Sequence, residues 1–514
     1  MQTNEQTIKD YFNYRKALLW LILISLAVRA FLVAHFQLGN DEVYYWLLAA
    51  NPAPTYFDHP PMFAWFINLF SAGLFFDSEL WVRMSSLLIF SLNTWIIFKL
   101  GSLIKNPRAG FIAALLYQSS IYTFVITGIM ILPDTPLSVF WLMALYGFLR
   151  ALRSDTISGS EQKYLLLAGL FTGLAIISKY HALLLWGGAG AYILFHQRKW
   201  LTNPYLYMAA AITALIVAPV LLAGNENVSF QTDRVVLFGE IKSLFLMREF
   251  LGQIVYNNPI NVLLAFVALF SFRKRGFLQK ADYRLLLWFG LPALTIFLFF
   301  SVFSATLPHW SAPGYYALML IAAACIADKS TKTIPIPNRV AIGLVLAGLA
   351  LAYGQINYGF LDDHDRPSGI NELGKNDLTL DLYGWDQLGA QFAQKSLPKH
   401  PEAKIIIAHK WYNAAHLDYY LVRPLNKKEP GSLKLIALGS PLDIHEYMRI
   451  NKERGEIQKG DNAWYIAISR SFYNPQEIYK DQFENINVVD TLEVMRNGKL
   501  VEYGLVYYLE NYRK

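Results

Sequence analysis

The sequence predicts a polytopic α-helical membrane protein with about eleven spans, interfacial helices in its external loops, and a C-terminal α/β soluble domain. Three observations predict it. Of 514 residues, 54% are hydrophobic and only 16% charged, well below the roughly 25% charged of an ordinary soluble domain. Apolar windows of about 20 residues, long enough to cross a ~30 Å hydrocarbon core, recur up to residue 357 and stop there. From 358 to 514, short apolar runs alternate with helical patterns instead, as in a compact domain with its own core.

The candidate spans fall near 17–36, 80–100, 109–129, 134–152, 164–179, 181–197, 205–223, 256–272, 284–304, 312–328 and 339–357. Every second connection is basic: Arg15 and Lys16; Lys99, Lys105 and Arg108; Arg150, Arg153 and Lys163; Arg198 and Lys199; Arg273, Lys274 and Arg275; Lys329, Lys332 and Arg339. The positive-inside rule then makes the N-terminus and those loops cytoplasmic, and an odd number of spans puts residues 358–514 on the opposite, external side. The polar N-terminus lacks a cleavage pattern, so the first span is expected to stay as an uncleaved anchor. The net charge of +7 thus reads as topology. No basic cluster interleaved with aromatics lies away from a membrane edge, which argues against a nucleic-acid partner. Cys325 is the single cysteine, excluding an intrachain disulfide and a cysteine-based zinc cluster.

Two external connections are long, 37–79 and 224–255, and suggest a functional surface on that face. Within them Glu42–Ala50, Met62–Phe76 and Ile241–Tyr256 are too short or interrupted to span, and suit amphipathic helices at headgroup depth; in the last, Phe245, Leu246, Phe250 and Ile254 can share one face. In the C-terminal part, Lys404–Ala408, Leu433–Leu438 and Ala463–Ser469 read as buried strands and Ser440–Glu453 as helix. Asn497-Gly498 between apolar runs reads as a closing hairpin turn.

Chemistry-bearing residues collect on the external side. Asp41 and Glu42 open a helix-like segment just after the first span; Asp41 also suits a plain helix cap. Asp134, between Pro133 and Pro136 at the start of the fourth span, is costly there unless it meets a partner or a wet cavity. Lys179, ending the fifth span, is the matching cation, or a snorkelling anchor. In Tyr56-Phe57-Asp58-His59-Pro60-Pro61, the double proline fixes a turn that can aim Asp58 and His59. His309 adds an imidazole at the mouth of the tenth span. Together these suit transfer from a membrane-borne donor: a carboxylate base deprotonates the acceptor while Lys and His neutralise a departing lipid-linked phosphate. Asp41, Glu42 and Asp134 are also hard oxygen ligands suited to magnesium or manganese. No Gly-rich phosphate loop indicates a soluble nucleotide donor.

These residues resemble the polyprenyl-phosphate-dependent glycosyltransferases of the GT-C class (family 39 type), which include protein O-mannosyltransferases, aminoarabinose transferases and galacturonosyltransferase-like proteins. The resemblance covers about 17–357. It rests on Asp41-Glu42, His59-Pro60-Pro61, Pro133-Asp134, Lys179, Val228-Ser229-Phe230-Gln231 with Gly252-Gln253, and His309-Trp310-Ser311-Ala312-Pro313. It implies a transmembrane glycosyltransferase module over 1–357 and an inverting sugar transfer from a polyisoprenyl-phosphate carrier on the periplasmic side. Asp41 takes the place of the catalytic carboxylate, Asp134 assists in organising the site or acceptor, and Lys179 contacts the carrier phosphate. One departure stands out: the aminoarabinose transferases carry a phosphate-binding lysine before the double proline, where this chain has His59.

The competing expectation is a transporter or flippase for a lipid-linked substrate. It would call for paired broken helices in two related halves, and no internal repeat is visible. A scaffold displaying its external domain would leave Asp41, Asp134 and Lys179 unexplained. The sequence specifies neither the sugar nor the acceptor, which could be a glycolipid, a polysaccharide or a protein.

Overall fold

The structure, a computed structural model, describes residues 2–224, 240–330, 333–361 and 372–514, with side chains from residue 13 onward. The chain divides into two compact units. One comprises Met1–Ala34 and Ala53–Gly348, and the other His35–Pro52 and Leu349–Lys514. The protein is a polytopic helical membrane protein with a C-terminal sheet domain. Helices overlap the expected span positions, although that at 109–129 runs only over Pro107–Gln118, and six among the described residues are by themselves long and apolar enough to cross a membrane: Asn13–His35, Met84–Ile104, Asp134–Leu152, Pro204–Ala223, Lys280–Phe300 and Ile336–Tyr358.

The first unit has the inverted exterior of a lipid-solvated bundle. Trp20, Ile24 and Phe31 on the first helix, and Leu215 and Leu222 on Pro204–Ala223, face outward, as side chains do where lipid replaces water. Helices Met84–Ile104 and Pro107–Gln118 meet at paired glycines: a Cβ on Gly101 would lie 2.7 Å from Gly110 Cα. This is the small-residue contact that lets membrane helices approach backbone to backbone.

Helix Ser243–Tyr256 also has its apolar side out, but it is not the face expected from the sequence. Leu244, Met247, Leu251 and Val255 are exposed with Phe250, whereas Phe245, Leu246 and Ile254 are only half-buried. Glu249 and Gln253 turn inward, where Glu249 accepts from Thr306 Oγ1 at 2.8 Å and Gln253 Nε2 at 2.9 Å. The polar residues, which need partners, take the protein side. A 94° bend separates this helix from Pro259–Arg275. Asn258, at φ 68°, makes the corner and donates to Ser119 O and Ala341 O.

In the second unit a five-stranded sheet runs in the order β2-β1-β3-β5-β4, comprising β1 (Ile405–Ala408), β2 (Lys434–Ala437), β3 (Ala463–Ile468), β4 (Phe483–Arg496) and β5 (Lys499–Tyr512). β1 lies parallel to β2 and β3, and β5 runs antiparallel to β3 and β4. The three strands read from the sequence are therefore the sheet's β1, β2 and β3. The turn between β4 and β5 is Asn497-Gly498, with φ 50° and 77°, the two positive values that a tight hairpin turn requires. The helical stretch expected over 440–453 is broken into Pro441–Ile444 and Tyr447–Arg454, because His445 takes φ 50°.

Helix Asn40–Ala50 belongs to this second unit, and here the reading of residues 42–50 as an open interfacial platform is corrected. Glu42 through Ala49 are all buried, because aromatic residues of the sheet domain cover them. Trp46 meets the Tyr419 ring edge-on at 4.9 Å, and Tyr44 packs on Trp411 at 4.9 Å. The amphipathic pattern is real, but its apolar side is satisfied by protein.

Candidate functional site

In the membrane unit, the sequence-predicted acid and cation form a buried pair. Pro133 occupies the N-cap of helix Asp134–Leu152 and makes Asp134 its first residue, where the free backbone amides and the helix dipole favour a carboxylate. Asp134 is 1% exposed; its Oδ2 accepts from Lys179 Nζ at 2.6 Å and its Oδ1 from the Tyr122 hydroxyl at 3.0 Å. His309 Nε2 stands 4.0 Å from the same Oδ2. Lys179 owes its position to a break in the chain. Helix Gly159–Ile176 ends just before it, and a short 3-10 turn, Tyr180–Leu183, begins just after it. An extended backbone there directs its side chain into the bundle.

Tyr122 sits on a π-helical turn, Tyr122–Ile126. Such wide turns recur at functional sites because they re-aim a side chain. The Tyr122 ring is 6.3 Å from Tyr316, which is 5.8 Å from Tyr117. A buried row of phenols thus backs Asp134. His181 lies between Trp141 and Phe297, with ring centroids at 6.4 and 5.6 Å. Its Nε2 has no hydrogen-bond partner among the described residues.

The Tyr56–Pro61 turn joins this neighbourhood. Tyr56 N donates to His59 O at 3.1 Å, closing the turn, and Met62 N donates to Ile177 O at 3.4 Å, two residues before Lys179. Asp58 Oδ2 and His59 Nε2 are 3.9 Å apart, and Tyr56 is buried against Phe63. Of the other stretches behind the resemblance, Gly252 lies within van der Waals reach of Pro308 beside His309; Val228–Gln231 falls outside the described residues.

Asp41 and Glu42 belong to the second unit. Glu42 Oε2 accepts from Gly39 N at 3.0 Å and caps its own helix. From Asp41 to Ala49 only Asp41 is exposed. The helix start is gripped through Asn40. Its amide nitrogen donates to Asp381 Oδ2 at 2.8 Å, and its Oδ1 lies 3.0 Å from His416 Nε2. A carboxylate can only accept, so the Asn40 amide is oriented with its carbonyl toward His416, and His416 Nε2 carries the proton. Burial first, and then the Arg470 charge, hold the His416 imidazole well below its ordinary pKa and therefore neutral.

As placed, Asp134 and Glu42 are not available to a divalent cation. Asp134 is committed to Lys179 and Glu42 to its helix cap. Among the described residues no three His, Cys, Asp or Glu side chains are grouped to hold a metal. Two of the three carboxylates read from the sequence as hard ligands, Asp134 and Glu42, are thus engaged otherwise.

Sequence reasoning passed over Arg29, Tyr122, His181 and His416. Arg29, fully buried in the first span, lies between the Phe90 and Phe124 rings at 3.3 and 3.6 Å and donates to Ser25 O at 3.1 Å. An arginine in the middle of an apolar span was a visible signal for it. Tyr122 had none, because its role follows from the π turn that aims it at Asp134, and His416 had none, because its partner Asn40 is distant in sequence.

The chain is similar to known proteins in both sequence and fold. Residues 58–222 match the family model described as dolichyl-phosphate-mannose-protein mannosyltransferase. Two curated relatives are each named undecaprenyl phosphate-alpha-4-amino-4-deoxy-L-arabinose arabinosyl transferase. The one from Serratia proteamaculans is 26% identical over 320 residues, and the one from Yersinia enterocolitica is 26% identical over 365. The matches take in 58% and 67% of this chain, but only 55% and 63% of the relatives' own length. The crystal structure of ArnT from Cupriavidus metallidurans bound to undecaprenyl phosphate shares the fold, with a TM-score of 0.65 at 15% identity over 96% of this chain and 98% of that one.

Proposed function

We propose that the protein is a membrane glycosyltransferase that moves a sugar, with inversion, from a polyisoprenyl-phosphate carrier to a lipid, glycan or protein acceptor at the periplasmic face of the inner membrane. The observation that carries this reading is the buried Asp134–Lys179 pair, completed by Tyr122 and His309 inside an apolar helical unit. Ionisable groups are costly there and persist where they serve a substrate. The pair lies within the stretch that matches the mannosyltransferase model.

In this mechanism the acceptor oxygen attacks the anomeric carbon as the bond from that carbon to the carrier phosphate breaks. Asp41 takes the acceptor's proton, and the carrier leaves as polyprenyl phosphate. An ammonium has three donors, and Asp134 occupies one on Lys179. The remainder serve the departing phosphate, assisted by His309 and by His59. No step requires a divalent cation, so dialysis against EDTA is expected to leave the rate unchanged. With the eleven spans expected from the sequence the sheet domain lies outside, and cysteine labelling at Asp461 from the periplasmic side alone is the expected topology result.

The test is transfer from synthetic undecaprenyl-phosphate-linked aminopentose and hexose donors by the purified full-length protein. Asp41→Asn should abolish turnover while keeping the fold, and Lys179→Ala should weaken binding of the lipid phosphate. Full activity in a folded Asp41→Asn protein would remove Asp41 as the base.

A further inference from the structure

The sheet domain builds no constellation of its own among the described residues that the proposed transfer uses, yet it holds one functional segment very firmly. Helix Asn40–Ala50 is tied to it from end to end. Before the helix, Leu38 N donates to the Tyr420 hydroxyl at 2.7 Å, and Gln37 Oε1 accepts from Trp385 N at 3.0 Å. At its middle, the Tyr44 hydroxyl accepts from Glu446 N at 3.2 Å; after it, Arg449 Nη2 donates to Asn51 O at 2.7 Å. At its first turn, Asn40 is held between His416 and Asp381, and Asp381 is held in turn by Arg470 Nη1 at 2.6 Å. His416 cannot swing away. It is fully buried and stacked on Trp385 at 3.9 Å with the planes 5° apart.

We propose that His416 is a positioning residue for the transfer, fixing the first turn of helix Asn40–Ala50 through Asn40 so that Asp41, the next residue, is presented in one orientation. The inference rests on the reading of Asp41 as the base. The helix is buried from Glu42 to Ala49 and anchored at both ends, so the orientation of the exposed Asp41 follows that of the first turn. Asn40 controls that turn. A base displaced by an ångström loses much of its rate, so the sheet domain becomes part of the reaction machinery through the contact of His416 with Asn40, beside that of Asp381.

Two substitutions separate the roles of the imidazole. His416→Phe keeps the ring that stacks on Trp385 and removes the donor to Asn40, whereas His416→Gln keeps a donor. The full-length protein is compared in detergent by melting temperature, by amide hydrogen exchange of peptides covering 38–51, and by steady-state transfer from an undecaprenyl-phosphate-linked sugar, with Asp41→Asn alongside. In His416→Phe we expect faster exchange at the first turn and a kcat lowered about ten-fold or more. The donor KM and the melting temperature should be close to wild type, and His416→Gln should restore both kcat and protection. Unchanged exchange and unchanged kcat in a folded His416→Phe protein overturn the inference, as does a loss that His416→Gln fails to restore. If Asp41→Asn is inactive while His416→Phe turns over normally, the positioning role falls and the base assignment stands. If Asp41→Asn is fully active, the base assignment falls and takes this role with it.

Discussion

Lys179 Nζ donates to Asp134 Oδ2 at 2.6 Å, a pairing between residues 45 apart in the chain, both almost completely buried. Each charge is tolerable because the other is there. The Tyr122 hydroxyl on the opposite carboxylate oxygen leaves little of Asp134 unsatisfied.

Removing one partner should therefore cost more than removing both. Asp134→Ala strands a buried ammonium and is expected to destabilise the protein by about 3–5 kcal/mol, because an unpaired buried charge keeps its desolvation penalty. The double variant Asp134→Ala/Lys179→Met should recover most of that loss in a thermal melt while remaining inactive in sugar transfer. A double variant that melts as low as the single one would show that the pair is not the source of the cost.

Close helix approach at Gly101 gives a second expectation. A methyl group there would collide with Gly110 backbone at 2.7 Å, and backbone cannot yield as the end of a flexible side chain can. Gly101→Ala should destabilise by about 1–3 kcal/mol, as overpacking does. Gly187, with nothing within 4 Å of its added Cβ, provides the control; Gly187→Ala should be neutral or slightly stabilising, since alanine favours helix. Equal melting temperatures for the two variants would contradict the packing.

In the sheet domain, Glu502 carries a pH dependence. It is fully buried; Arg470 Nε lies 2.9 Å from its Oε1, but neither carboxylate oxygen receives an aligned hydrogen bond among the described residues. Burial therefore outweighs the arginine and raises its pKa from 4.5 to about 7. A raised carboxyl pKa means that the folded state binds the proton more tightly than the unfolded chain. The stabilisation is complete below about 4.5 and is lost as pH rises through about 7. Protection of β5 amides from hydrogen exchange, corrected for the intrinsic pH dependence of exchange, should fall between these values in the wild type and be flatter in Glu502→Gln. The same slope in both proteins would assign it to another group.

Much of the fold was legible because membrane segments and strands are local patterns. An apolar window must be helical where no water can satisfy the backbone, and helices overlap the expected positions, down to the start of Asp134–Leu152 at its proline, although the stretch 109–129 is broken after Gln118. Asn497-Gly498 specified its hairpin because few residue pairs accept two positive φ values. The face of Ser243–Tyr256 was misread for an equally physical reason: in a bundle solvated by lipid, Glu249 and Gln253, not the apolar residues, mark the inward side.

Asp134, Lys179 and His309 were likewise visible as charged or polar residues where apolar ones would be easier to keep, and the structure brings Lys179 and His309 to the Asp134 carboxylate. What the sequence by itself determined was which segments are helix, strand or turn, and which side chains are too expensive to be incidental. Only the tertiary structure decided their partners: Lys179 for Asp134, two phenylalanines for Arg29, and His416 with Asp381 for Asn40. It also assigned helix Asn40–Ala50 to the sheet domain rather than to an open surface. Periodicity records which side of a segment avoids water, but a buried face is satisfied equally by lipid, by a neighbouring helix or by a distant domain, and only long-range packing selects among them.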